Sequence, residues 1–402
     1  MQKTLAPKET QGLKGMKVLF MTSRDVKHPE WAGGDIYHFE IAKRLVRYGN
    51  EVTMLCNEFN GCKNREVTQG VRIMRIRGGI FRIISNFLTY HRLLKERHDI
   101  IVEEAEGPAG PLFAFFYAKE PVVIMWHQLG KTIYLNQFPY FIALSLLVME
   151  KIYVSFARRC QVIVPSHERA REFINVGFSN DKINVVPAAF ALRKVPDRTS
   201  DTTLKRNRFL ILGKIRRYKA YHHAIEALKF LRDKGEKCSL IIAGRRGEGK
   251  YCRYLEELII NYGLQDSVFI RYNICEKEKV KILANTLALI VTSPIEGFSI
   301  VSVEANALGV PVIATNGVPD EVISDGYNGI KYDFGDISAL TETMSRLLHD
   351  RTLRDKLSVN STVSSTRFSW DISAKLFEEI LQRTLKQART QQQSGRNVYE
   401  TK

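Results

Sequence analysis

At 402 residues the chain exceeds one ordinary core, so two domains of roughly 150 to 200 residues are expected. Its 45% hydrophobic and 26% charged residues exclude disordered and collagen-like classes, and six scattered cysteines without a CxxC or CxxH pair argue against a zinc site or a disulfide framework. The formal charge of +17 raises the question of an anionic partner: nucleic acid, a phosphorylated substrate or a membrane.

The opening "MQKTLAPKETQGLKG" has no apolar run and is no secretory signal, so a cytoplasmic location is the expectation. "KVLFMTS" then reads as a buried strand. After a loop with Gly33 and Gly34, "IYHFEIAKRLVRYG" carries apolar residues at helical spacing and stops at Gly49, and "EVTMLC" is the next strand. Strand, helix, strand implies a parallel sheet. The segment 63–97 holds nine Lys/Arg against Glu66 and Glu96, which reads equally as a solvated face or an anion-facing one. Further strands are expected at "DIIVEE", "PVVIMWH", "CQVIVPS" and "INVVP".

"FALRKVPDRTSDTTLKRN" reads as a linker, after which the pattern restarts. "RFLILGK", "CSLIIAG", "SVFIR", "LALIVTS" and "PVIAT" are strands, and "AYHHAIEALKFLRDKG" and "KYCRYLEELIINYG" are helices. The fold class is therefore α/β, with two doubly wound domains that place a ligand in the cleft beyond the strands' carboxyl ends. The domains are expected at 16–190 and 191–369, after a flexible tail at 1–15. "FSWDISAKLFEEILQRTLKQ" forms an amphipathic helix, and residues 389–402 form a polar, frayed tail.

Several motifs sit at those carboxyl ends. "GRRGEGKY" approaches a phosphate loop, but Tyr251 stands where a magnesium-binding hydroxyl belongs, so a glycine turn is the better reading. Gly33 and Gly34 open a helix where bare N–H groups can approach an anion. "LGKIRRYKAY" places Lys214, Arg216, Arg217 and Lys219 where they could neutralise a diphosphate, and "MWHQLG" puts His127 at a strand end. In "TSPIEGFSIVSVEANALGVPVIAT", Glu296 precedes a helix and Glu304 lies within it. The N–H groups of Phe298, Ser299 and Ile300 between them offer a phosphate site. Two carboxylates flanking a diphosphate site suit a nucleotide sugar.

On these residues the chain resembles the retaining glycosyltransferases of family 4 over roughly residues 16–385. The most specific stretch is Glu296-Gly297-Phe298 through Glu304, followed by "GVPVIAT", "GVPDEVI" and "DGYNG". The resemblance implies the GT-B fold: two facing Rossmann-like domains, a deep cleft, and a final helix near 370–388, preceded by Trp370, that completes the first domain. It also implies that Glu296 contacts the donor sugar and Glu304 the ribose. Lys214 and Lys219 would face the diphosphate, the Gly33–Gly34 loop the donor, and His127 the sugar end. His127, Lys219 and Glu296 are thus the catalytic candidates. Lys214 replaces the commoner arginine, and Ser299 the frequent glycine, which is tolerable at a helix start. "VVPAAF" and "FIRYN" also depart from the common pattern and leave the base, UDP or GDP, open.

No DxD occurs, so neither a metal nor another cofactor is expected. The resemblance implies retention, and same-face attack by the acceptor fits the lack of an obvious protein nucleophile. For the acceptor, a saccharide or lipid-linked saccharide of cell-surface glycan assembly, "YLNQFPYFIALSLLVMEKIYVSFARR" reads as either a core or an interfacial helix. With the basic segment bearing Phe81, Phe87 and Tyr90, it suggests peripheral contact with an anionic membrane on the cytoplasmic face, and no nucleic-acid partner. A non-catalytic glycan-binding or partner subunit and a sugar-nucleotide epimerase are the alternatives to a transferase.

Overall fold

The buried runs become the central strands of two sheets in a computed structural model, which describes residues 15–78, 82–94, 97–105, 113–190 and 207–400. Residues 1–14 of the expected N-terminal tail, residues 191–206 of the expected linker and Phe81 lie outside the described residues.

The first sheet comprises β1 (Lys17–Met21), β2 (Glu51–Asn57), β3 (Arg65–Thr68), β4 (Val71–Ile76), β5 (Ile100–Glu104), β6 (Val122–Met125), β7 (Gln161–Val164) and β8 (Ile183–Val185). Their order is β3-β4-β2-β1-β5-β6-β7-β8, parallel except for the β3–β4 hairpin. That hairpin lies in the basic segment. Its Gln69 and Gly70 both have left-handed φ, as a tight hairpin turn requires. Arg75 at the end of β4 is buried and donates to both carboxylate oxygens of Asp25, at 2.7 and 3.0 Å. Part of the basic excess is therefore a structural ion pair rather than a solvated or anion-facing surface.

The helices of this half are α1 (Gly33–Arg47), α2 (Arg82–Thr89, continued by a π-helical turn at Tyr90–Leu94), α3 (Ala114–Tyr117), α4 (Lys131–Gln137), α5 (Tyr140–Ala157) and α6 (His167–Asn175). In α5 only one edge, with Ala143, Tyr153, Val154 and Ala157, is buried. The core-helix alternative for this stretch is thereby corrected. Among the described residues nothing buries Phe141, Leu144, Val148, Met149, Ile152 and Phe156, which are exposed.

The second sheet comprises β9 (Arg208–Leu212), β10 (Ser239–Gly244), β11 (Val268–Tyr272), β12 (Ala288–Val291), β13 (Val312–Thr315) and β14 (Gly329–Tyr332), all parallel in the order β11-β10-β9-β12-β13-β14. Its helices are α7 (His222–Asp233), α8 (Gly249–Asn261), α9 (Glu276–Ala284), α10 (Ile300–Ala307), α11 (Ile337–His349) and α12 (Arg351–Ser365). The strand order reverses between β9 and β12. Doubly wound sheets bind ligands at such a switch point.

Helix α13 (Trp370–Glu400) returns to the first sheet's layer. Phe377 stacks on Phe20, Ser373 Oγ donates to Pro187 O at 2.7 Å, and Arg44 pairs with Asp371 at 2.6 Å. The helix continues to Glu400 where a frayed tail is expected from residue 389. Arg389 and Gln391–Gln393 favour helix while Gly395 and Asn397 do not, so this stretch is carried as the extension of a helix already nucleated by packing.

Candidate functional site

At the switch point of the second sheet, the loops after β9 and β12 meet. Lys219 follows β9 in a short 3-10 turn whose carbonyl accepts from Thr292 Oγ1 at 2.5 Å. Its Nζ donates to Glu296 Oε1 at 3.0 Å, and Ser293 Oγ donates to the same oxygen at 2.6 Å. Burial alone would push Lys219 towards its neutral form, but the Glu296 carboxylate outweighs it and holds the ammonium well above the ordinary lysine range. Leu212, Tyr221, Ile290 and Val301 wall the pair in.

The next residues are set by close approach. A Cβ on Gly297 would lie 2.8 Å from the His127 carbonyl oxygen, so glycine lets the two domains touch here. Ser166 Oγ donates across the same seam to Gly297 O at 3.1 Å. Phe298 turns its ring away into the core against Phe368, leaving only its backbone for a ligand. Ser299 has φ +75°, ψ +68°, the left-handed region, and its hydroxyl meets Ser302 Oγ at 2.7 Å instead of capping α10. A side chain is strained there, so the expectation that serine sits easily at this helix start is corrected.

Helix α10 starts at Ile300, opposite the start of α1. An added Cβ on Gly33 would sit 3.7 Å from the Ile300 side chain, so the glycine that opens α1 lies close to the first residue of α10. Two helix N-termini near one another favour an anion beside them. One turn into α10, Glu304 is buried and accepts from Lys279 Nζ at 2.7 Å. Burial pushes its carboxyl above the usual range, with the Lys279 ammonium opposing the shift.

Lys214, also after β9, reaches across the cleft to Glu30, pairing with its carboxylate. Burial lowers the Lys214 pKa and Glu30 counteracts it. Arg245 crosses beside it, donating to Pro29 O at 2.6 Å and lying 3.7 Å over the Trp31 ring. Lys214, Lys219, Glu296 and Glu304 are thus already paired, whereas of the other two cations expected there Arg216 is half-buried and Arg217 exposed. The partners Glu30, Ser293 and Lys279 carry no sequence signal, since each is an ordinary polar residue made significant only by a distant neighbour.

On the first sheet, His127 follows β6 and its Nε2 lies 3.2 Å from Nε2 of the buried His38. Asp35, His38 and Glu104 offer ligand atoms within 4.8 Å of one another, the set that by distance could hold a metal ion. Arg24 Nε lies 3.2 Å from Asp35 Oδ2 and already supplies positive charge there. The glycines of "GRRGEGKY" serve packing: Cβ atoms on Gly244 and Gly247 would each fall 2.0 Å from a carbonyl of the β9–α7 loop.

The family described as Glycosyltransferase Family 4 matches residues 31–192, and that described as Glycosyl transferases group 1 matches residues 197–363. Among curated proteins, a D-inositol 3-phosphate glycosyltransferase of Xylanimonas cellulosilytica is 26% identical over 54% of this chain and 56% of its own. The chain therefore matches little more than half the length of that relative. An N,N'-diacetylbacillosaminyl-diphospho-undecaprenol alpha-1,3-N-acetylgalactosaminyltransferase of Campylobacter jejuni is 23% identical over 88% of this chain and 97% of its own. Among solved structures, the Anabaena protein HepE in complex with UDP-glucose superimposes with a TM-score of 0.72 at 19% identity, covering 91% of this chain and 99% of that one. The two matched families between them cover every strand but β1 and the cleft residues from Trp31 onward, and the chain belongs to glycosyltransferase family 4, with the GT-B fold.

Proposed function

We propose that this family 4 glycosyltransferase moves a sugar, with retention of anomeric configuration, from a UDP- or GDP-sugar to a saccharide or lipid-linked saccharide in polysaccharide assembly. The observation that carries the reading is the walled-in Lys219–Glu296 pair, with Glu296 four residues before the start of α10 and the glycine start of α1 close to that helix start. Glu296 is set to accept hydroxyls of the donor sugar, Lys219 and Lys214 to bind its diphosphate, and Glu304 to accept the ribose diol. Donor binding exchanges Glu30 for phosphate on Lys214. His127, whose carbonyl faces Gly297, lies at the sugar end.

In the reaction the acceptor oxygen bonds to the anomeric carbon on the face from which the phosphate oxygen departs, and the acceptor's proton passes to that phosphate. Lysine ammonium groups and helix N–H groups stabilise the developing charge, which is work a divalent metal does elsewhere. Turnover undiminished by a chelator is the expectation. The uridine option is supported by the UDP-glucose bound to HepE, and the lipid-linked option by the diphospho-undecaprenol acceptor named for the Campylobacter relative.

The exposed face of α5 supports a peripheral site on an anionic, cytoplasmic membrane surface. Helix α5 is long and apolar enough to cross a membrane, yet its inner edge packs on the first domain, which suits lying in the interface. Phe156 meets Phe116 of α3 edge-on, and Tyr117 meets Phe87 of α2 edge-on, so the apolar face continues across three helices, with exposed Lys151, Arg158 and Arg159 beside it.

The test is a panel of nucleotide sugars with nucleoside diphosphate release as readout. Release by the wild type, abolished in Glu296→Ala, supports the reading; release unchanged by that substitution overturns the site. No sedimentation with anionic vesicles at low salt would sink the membrane part.

A further inference from the structure

His127 does not reach the cleft alone. Behind it His38, fully buried in α1, has its Nδ1 3.7 Å from Glu104 Oε1, an electrostatic contact rather than a hydrogen bond, while Glu104, buried at the end of β5, accepts from the Ser23 N–H at 2.5 Å through its other oxygen. The three side chains form a line from the interior to the cleft. The ring of His127 is held edge-on to Tyr37 at 5.3 Å, and Tyr37 in turn meets Trp370 at 5.5 Å.

The facing nitrogens of His127 and His38 can share only one proton: one ring must donate and the other accept. The far end decides which. An ionised carboxylate only accepts, so Glu104 favours the proton on His38 Nδ1. Burial keeps His38 neutral, and its Nε2 is then a bare acceptor. His127 must donate from Nε2, which leaves Nδ1 as its lone pair. The other charged groups around His38 are Arg24 and Asp35, which pair with each other at 3.2 Å; the Arg24 charge also disfavours a charged His38 ring, and an Asp35 oxygen lies within 4.8 Å of it.

We propose that Glu104 and His38 are positioning residues that fix His127 as its Nε2–H tautomer, so that its Nδ1 accepts a hydrogen bond from a hydroxyl of the bound sugar. The tautomer rests on the three side chains alone; its bearing on transfer rests on the proposed place of His127 at the sugar end. The mechanism above uses neither His38 nor Glu104.

Ring nitrogen shifts in the full-length chain labelled with 15N-histidine test this directly. The expected pattern is a protonated Nε2 and bare Nδ1 on His127, and the reverse on His38. In Glu104→Gln the amide nitrogen donates to His38 Nδ1, both rings reverse, and kcat falls by at least about tenfold with the donor KM little changed, the behaviour of a wrong-tautomer histidine. A Nδ1–H tautomer on wild-type His127, or tautomers unmoved in Glu104→Gln, would overturn the proposal. So would a shift of the His38 nitrogens on adding Zn2+ or Mn2+, which would assign Asp35, His38 and Glu104 to a metal. The wild-type spectrum needs neither a variant nor turnover, so correct tautomers without nucleotide-sugar cleavage would refute the proposed function and leave the tautomer standing.

Discussion

The two sides of the cleft solve different problems with the same sheet architecture. On the donor side three cleft cations are paired: Lys219 with Glu296 at 3.0 Å, Lys279 with Glu304 at 2.7 Å, and Lys214 with Glu30 from the opposite domain. On the first domain, α5 leaves Phe141 72% exposed and Val148 52% exposed. Paired buried charge fixes geometry before any ligand arrives, as a polar ligand of constant shape requires. An apolar face of this breadth needs an occupant from outside.

The comparison breaks most sharply at Lys219. Lys219→Met is expected to lower kcat/KM for any accepted nucleotide sugar by about 100- to 1,000-fold, both by removing a cation from the departing diphosphate and by leaving Glu296 uncompensated. Steady-state kinetics check it, and a loss under about threefold would place the donor elsewhere.

Next is the buried histidine behind His127. The pKa of His38 is pushed down to about 4 by burial, from an ordinary 6.5. The unfolded chain therefore takes up this proton below about pH 6.5, and the folded chain only near pH 4. Its contribution to stability is fully present above about 6.5 and is lost as the pH falls towards 4, by on the order of 3 kcal/mol. Denaturant midpoints at about pH 7.5 and pH 5, in wild type and His38→Gln, measure it; a pH dependence equal in both proteins contradicts it.

On the other side of the comparison, polar substitution of α5 is expected to separate membrane contact from chemistry. Phe141→Ser combined with Val148→Ser should weaken partition into anionic vesicles by about 2 kcal/mol, roughly 30-fold, with donor cleavage in solution unchanged. Co-sedimentation and diphosphate release on the same preparations read both. The smallest effect is local. Ser299→Gly relieves the left-handed strain at the start of α10 but loosens the unfolded chain, for a net gain of about 0.5 kcal/mol in thermal or denaturant unfolding.

The central strands and the helices beside them were legible because each is a continuous buried run or a helical repeat within a dozen residues. The edge strands β3 and β14 were not, being four-residue elements with little apolar signal, and β4, although it alternates apolar residues, was obscured by its place in a segment read for its basic charge. Within the site, Glu296, Gly297 and Glu304 could be found from spacing along one strand, loop and helix. Glu30, Lys279, His38 and Glu104 could not, because each acquires meaning from a residue 25 or more positions away.

From sequence alone came what local pattern encodes: two repeated α/β halves, parallel strands, a ligand edge at their carboxyl ends, and the carboxylates flanking a helix start. Only the tertiary structure decided which charges pair across the cleft, which serine sits in left-handed backbone, and that α5 keeps one bare face. Periodicity reports which side of a helix is apolar, whereas covering that side depends on how many layers the whole chain can supply.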